Sequence, residues 1–259
     1  MIELSRNGRI ARLTVRRAEK KNAFTSAMWQ SLLDHCRALQ AELAAGRETA
    51  PRVLQLAGQP GVFCAGADIE EMQRLLLDFA AMAQNNEVVL QAQLALENLP
   101  LPTLALIDGP CFGGGFGIAA ACDFRLVSSR SLFAITPARL GLLYSLEDTR
   151  RVVALVGQTR ARRLLLRSER LDAAQAAAWG VADAVVEADA LEALAQRWSE
   201  ELAAQSPTSM AGLKLTLAHL GGNPAVSQAQ VRAAFVDAFS GADCAEGTAA
   251  FLQRRPPRF

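Results

Sequence analysis

Twice in this chain a short, mostly apolar run that reads as a buried strand passes through glycine into the start of a helix. Val53–Ala57 leads through a Gly58–Gly66 loop into Ala67-Asp68-Ile69. Thr103–Ile107 leads through Asp108-Gly109-Pro110 into Gly113-Gly114-Gly115. Small residues at a helix start leave its first N–H groups unblocked, and the terminus adds partial positive charge. Two such ends brought together would hold one oxyanion between them. Glycine at these places also serves tight turns and close helix–strand packing, and spacing alone does not bring the two segments together.

Other chemistries are less well supported. Gly115-Phe116-Gly117-Ile118-Ala119-Ala120 fits a GxGxxA dinucleotide fingerprint, but no acidic residue ends a second strand about twenty positions later. A nicotinamide oxidoreductase is therefore disfavoured. With 27 basic and 26 acidic side chains, the chain has no electrostatic footprint for duplex nucleic acid. The five cysteines (Cys36, Cys64, Cys111, Cys122, Cys244) form no CxxC pair, and only His35 and His219 could add imidazole. Buried small hydrophobes in a reducing compartment are expected rather than a disulfide framework or a metal site. The N-terminus lacks a signal-peptide pattern, and the apolar run around Leu104 is too short to cross a bilayer. A cytoplasmic protein with no membrane and no metal is expected.

Periodicity supplies the outline. Asn7-Gly8 between Ile2–Ser5 and Arg9–Val15 predicts a hairpin. Met28, Leu32, Leu33, Cys36, Leu39 and Leu43 share one face of a helix over 26–45, with Thr25 or Ser26 as N-cap and Gly46 as stop. Residues 69–99 read as helical with one break, and Pro100-Leu101-Pro102 ends them. Gly113–Gly115 opens an apolar helix ending near Cys122, and short strands are expected at Phe124–Val127, Leu132–Ile135 and Val181–Val186. Strands alternating with helices predict an α/β fold. Residues 1–190 are read as the core, and the helix-rich 191–259 as a cap or assembly surface.

At the two glycine-bearing segments the chain resembles the crotonase (enoyl-CoA hydratase/isomerase) superfamily. The resemblance begins at Lys21-Asn22-Ala23-Phe24 and takes in Ala65-Gly66-Ala67-Asp68, Gly113-Gly114-Gly115 and Cys122-Asp123. It continues through Leu132-Phe133, Ala176, Trp179-Gly180-Val181, Glu246-Gly247 and Arg254-Arg255-Pro256. It implies a ββα spiral with a C-terminal helical trimerisation segment, and a homo-oligomer, trimer or hexamer. It also implies acyl-CoA thioester substrates, coenzyme A being part of the substrate and no separate cofactor being needed. The carbonyl oxygen would be held by the N–H groups of Ala67 and Gly114. Carried onto this chain, the ligand would run along Lys21, Ala23, Ala65, Gly66, Asp68, Ile69, Gly113, Pro137 and Leu140. Arg17, Lys20 and Lys21 are candidates for the phosphates, although Glu70 stands where the family often has lysine. Arg254, Arg255 and Arg258 are read either as reaching a neighbouring subunit's ligand or as an exposed tail.

The departures concern the reaction. The family's hydratases use two glutamates to position and activate water, and the matching positions here are Gly117 and Pro137, neither ionisable. Thr136–Ser145 instead resembles a segment of methylmalonyl-CoA decarboxylases, with Tyr144 as the tyrosine that would orient a substrate carboxylate. A decarboxylase-type lyase is thus the first expectation. Against it, those decarboxylases carry histidine at the Ala67 position and glutamate at the Gly117 position. Hydration or isomerisation using Glu147 or Asp148 is the alternative, Glu147 being preferred, with both acids otherwise read as first-turn charges of a helix. A family member that binds thioesters without turnover is the third. Asp68 and Asp123 are read mainly as structural caps.

Overall fold

The structure is a computed structural model that describes residues 1–47 and 49–259. The strands are β1 (Ile2–Asn7), β2 (Ile10–Val15), β3 (Val53–Ala57), β4 (Thr103–Ile107), β5 (Pro110–Phe112), β6 (Phe124–Ser128), β7 (Leu132–Ala134), β8 (Leu171–Asp172) and β9 (Ala184–Val186). The helices are α1 (Ser26–Ala44), α2 (Ile69–Leu75), α3 (Phe79–Glu97), α4 (Gly114–Ala121), α5 (Leu146–Leu166), α6 (Ala173–Trp179), α7 (Leu191–Ala203), α8 (Pro207–Leu220), α9 (Gln228–Ser240) and α10 (Ala242–Leu252).

One sheet has the order β1-β2-β3-β4-β6-β9. Its first pair is the antiparallel hairpin, with Asn7 opposite Ile10 and Gly8 at φ 57°, the positive angle that such a turn demands. The other pairings are parallel. Every residue of β3 and β4 is buried, as parallel strands covered on both faces must be. Leu54, Leu56, Ala105 and Ile107 join the cluster shared with Met28, Leu32, Cys36 and Leu39 of α1. Val53, Leu104 and Leu106 point the other way, onto Leu191, Leu194 and Ala195 of α7. α7 therefore covers the sheet, and drawing the C-terminal segment from residue 191 includes a helix of the packed core. α8–α10 follow it, with Leu213, Leu217, Phe235, Phe239 and Phe251 exposed.

Of the second sheet, β5-β7-β8, sequence reasoning finds β7, expected at Leu132–Ile135, but not β5 and β8, whose three and two residues are too few to show periodicity. The expected break in the 69–99 helix falls between α2 and α3. There the Asp78 carboxylate accepts from Ala80 and Ala81 N–H (3.0 and 3.1 Å) and starts the second helix. Asp123 does not cap a helix, contrary to expectation. It accepts from Thr103 N–H and Oγ1–H (2.7 and 2.8 Å) at the head of β4 and pairs with Lys214 of α8. Cys36, Cys64, Cys111 and Cys122 are buried free thiols, and burial pushes Cys36, Cys64 and Cys122 up to about 12. No helix among the described residues is long and apolar enough to cross a membrane.

Asp108 closes the turn after β4 by accepting from Gly61 N–H, Ser128 Oγ–H and the Arg130 guanidinium (2.5, 2.7 and 2.6 Å). Burial alone would raise this carboxyl, but Arg130, Ser128 and Gly61 override it and hold it at about 2. A depressed carboxylate contributes stability above its unfolded value, near 3.9, that is lost as pH falls through its folded value. Asp108→Asn should therefore flatten the fall of Tm between pH ~4 and ~2, as read by circular dichroism melts across that window.

Candidate active site

The two strand-to-helix junctions meet. Cys64 N–H donates to Pro110 O and Phe112 N–H donates to Cys64 O, both at 2.9 Å, so the first loop lies as an added strand beside β5. On its other side, Phe24 N–H donates to Gly66 O (2.7 Å) and Asp68 N–H donates to Phe24 O (2.8 Å). These two bonds flank Ala67 and leave its own N–H on the side away from Phe24. A Cβ built on Gly66 would stand 3.0 Å from Phe112 O and 3.5 Å from Gly114 N. One built on Gly114 would stand 3.9 Å from Ala67 N and 3.2 Å from Cζ2 of Trp29. The N–H groups of Ala67 and Gly114 thus lie side by side, and neither has an acceptor among the described residues. They are the pair of donors an oxyanion requires. Sequence reasoning missed Trp29, which packs on Phe24 with ring centroids 4.6 Å apart and walls the Gly114 side.

A carboxylate stands one turn along α4 from Gly114, although neither Gly117 nor Pro137 supplies it. A Cβ on Gly117 would lie 2.6 Å from both Asp148 Oδ1 and Gln93 Nε2. Asp148 of α5 and Gln93 of α3 therefore fill the space where a residue-117 side chain would begin, one turn along α4 from Gly114. Asp148 is 5% exposed, with Ser145 Oγ–H and Arg151 donating to its carboxylate (3.0 and 3.1 Å). Burial raises its pKa against the opposing pull of Arg151, Ser145 and Gln93. Arg151 also grips Glu97 of α3 (2.6 Å), and Gln93 Nε2 is buried without a hydrogen-bond partner among the described residues. Glu147, preferred at the sequence level, is half-buried one position earlier and is not part of this cluster. The Ser145-x-x-Asp148 spacing was the available signal, since a helix's third residue turns back toward its N-cap.

Tyr144 is packed against the hydrophobic core, and its hydroxyl donates to Gly113 O at 3.1 Å. Burial, with Asp148 adding, pushes that hydroxyl well above its ordinary value and keeps its proton on. Pro137 begins a 3-10 turn through Leu140, and Thr136 Oγ1 lies 3.9 Å from a Cβ built on Gly113. Leu140 and Ile69 are exposed.

At the expected phosphate side the charges are largely spoken for. Arg17 pairs with Asp68 (2.6 Å) and donates to Ala23 O (2.8 Å), while Lys20 pairs with Glu70 (2.6 Å). Lys21 is exposed with no ion pair among the described residues, and its carbonyl accepts from Ala65 N–H (2.9 Å). Asp68 caps α2 by accepting from Glu71 N–H, and that bond, with Arg17, lowers its pKa. Arg255 pairs with Glu246 (2.7 Å).

Residues 5–259 match the family described as Enoyl-CoA hydratase/isomerase. The chain belongs to the enoyl-CoA hydratase/isomerase family. It is 30% identical to "Probable enoyl-CoA hydratase echA6" of Mycobacterium leprae over 259 residues, covering 100% of this chain and 99% of that one. It is 29% identical to "Enoyl-CoA isomerase/hydratase fer4" of Mycosarcoma maydis, covering 95% and 91%. Among solved structures, an enoyl-CoA hydratase/carnithine racemase from Magnetospirillum magneticum superposes with TM-score 0.88 at 30% identity, covering 100% and 94%. The crotonase fold is thereby established for this family member.

Gly115 tests how tightly the junctions are pressed together. A Cβ there would stand 2.5 Å from Cys64 O, so Gly115→Ala must push the two segments apart. We expect a loss of about 1–3 kcal/mol in chemical denaturation, together with weaker acyl-CoA binding by calorimetry.

Proposed function

We propose that the protein acts on an enoyl-CoA thioester by proton transfer, with Asp148 as its acid–base group and the thioester oxygen held by the N–H groups of Ala67 and Gly114. The observation that carries this reading is the Asp148 carboxylate at the vacated residue-117 position. With a 3-enoyl thioester, the carboxylate takes a proton from Cα, the two N–H groups hold the dienolate oxygen, and the proton returns at Cγ. One carboxylate completes that isomerisation without further reactants. With a 2-enoyl thioester, the carboxylate takes a proton from water as hydroxide adds at Cβ, and the same proton goes to Cα. Burial suits the task, because it brings an aspartate's proton affinity closer to that of an enolate carbon.

The decarboxylase reading has less support. Tyr144 was to orient a substrate carboxylate, but its single proton is given to Gly113 O. A buried aspartate nearby would also repel such a substrate.

Mass spectrometry in D2O with malonyl-type, 2-enoyl and 3-enoyl thioesters separates the possibilities. Deuterium incorporation or gain of water on an enoyl thioester is expected, with a loss of about 100-fold or more in Asp148→Asn. Loss of CO2 from the malonyl-type thioester would overturn the proposal, and binding with no product from any of the three would favour a thioester-binding protein without turnover. kcat/KM should rise with pH along a limb centred above the ~3.9 of an ordinary aspartate, because the base acts ionised and burial opposes ionisation. Asp148→Asn should erase that limb.

A homo-oligomer is proposed as well, supported by the exposed Leu213, Leu217, Phe235, Phe239 and Phe251 of α8–α10. Light scattering on eluting protein should give a multiple of the 27.7 kDa chain mass, and Phe235→Asp with Phe239→Asp should lower that multiple.

A further inference from the structure

We infer that Tyr144 is a positioning residue that strengthens the Gly114 donor through the Gly113–Gly114 peptide group. The inference rests on the thioester-binding reading above. Gly113 O and Gly114 N–H belong to one resonant peptide unit, so a hydrogen bond that draws electron density onto the oxygen makes the N–H a better donor.

The Tyr144 hydroxyl donates to that oxygen at 3.1 Å, and Gly117 N–H donates to it at 3.1 Å as well. Gly113 N–H in turn donates to Ala134 O at 2.9 Å. The two glycines have no side chains with which to hold this peptide, and these bonds fix its plane. The partner donor is built alike: Gly66 O, in the same peptide as Ala67 N–H, accepts from Phe24 N–H at 2.7 Å. Among the described residues, two side chains donate to the carbonyls of these two peptides, the Cys64 thiol to Gly66 O at 3.9 Å and the Tyr144 hydroxyl, the stronger donor, to Gly113 O. The half-buried ring of Tyr144 packs against the core, which restricts where the hydroxyl can aim.

The chain contains a single tyrosine, so biosynthetic replacement with 3-fluorotyrosine alters this hydroxyl and no other. The fluorinated phenol is the more acidic and hence the stronger donor. The readout is the infrared stretch of a trans-2-enoyl-CoA carrying carbon-13 at the thioester carbonyl, bound against free. Binding to the native protein should lower the stretch. The lowering should be smaller in Tyr144→Phe and larger in the fluorotyrosine protein, with kcat/KM down about 2- to 10-fold in Tyr144→Phe, the equivalent of one neutral hydrogen bond. A ring that only fills space would not produce that order. If Tyr144→Phe folds poorly, the fluorotyrosine protein, nearly identical in shape, still supplies the comparison. A stretch lowered equally in all three proteins overturns the role of Tyr144 and leaves the oxyanion site standing. No lowering in the native protein overturns the site and the Tyr144 role together.

Discussion

Two hydrogen bonds between Cys64 and the β5 strand, at 2.9 Å each, set the distance on which the site depends. They lay one strand-to-helix junction beside the other so closely that several side chains are excluded. A Cβ at Gly66, Gly114 or Gly115 would fall 2.5–3.2 Å from backbone or indole atoms. Glycine at 66 and 115 is thus a consequence of the approach, and the approach sets the N–H groups of Ala67 and Gly114, from separate segments, side by side. Backbone donors fixed in this way need no reorganisation when charge develops on the substrate oxygen. Around them, Phe24 and Trp29 close the α1 side, and the fully buried β3 and β4 hold both junctions at the same end of the sheet.

The acid side obeys a different constraint, because burying a carboxylate is costly unless it is compensated. Asp148 and Glu97 face Arg151 and Arg150, two negative groups against two positive, spanning the C-terminus of α3 and the N-terminus of α5. Asp148 still feels its burial, since Arg151 divides its donors between two carboxylates. A fully matched ion pair would have lowered the aspartate's pKa and made it a poorer base. The sharing of Arg151 leaves Asp148 a buried carboxylate whose proton affinity is raised.

Much of the fold was legible in the sequence. The Asn7-Gly8 hairpin, α1 with its Thr25 cap, β3, β4 and the helix opening at Gly114 follow from turn chemistry and periodicity, and their boundaries agree with the structure to within a residue or two. The convergence of Ala67 and Gly114 was not legible from spacing, and came only through resemblance. The choice between Glu147 and Asp148 was not legible either. Neighbouring residues on a helix differ by about 100° around its axis, and only the packing of α5 against α4 decides which of the two faces inward. The pairing of Arg17 and Lys20 with Asp68 and Glu70 was hidden for a related reason, since their partners lie about fifty residues away.

The position of Asp148 also accounts for glycine at 117. A side chain there would compete with the aspartate for the same space, because a Cβ on residue 117 would stand 2.6 Å from the Asp148 oxygen and from the Gln93 amide, and both side chains would have to move. A carboxylate reaching this spot from α4 would sit on an apolar helix, Gly114–Ala121, whose other residues offer it no hydrogen-bonding side chain. From α5 it arrives in the first turn of a helix, where the unpaired N–H groups and the macrodipole favour negative charge, and Ser145 and Arg151 lie within reach. On the proposed reading the acid comes from α5 and occupies the space in which a residue-117 side chain would begin. Glycine at 117 and proline at 137 are therefore compatible with the acid–base role proposed for Asp148, supplied by α5.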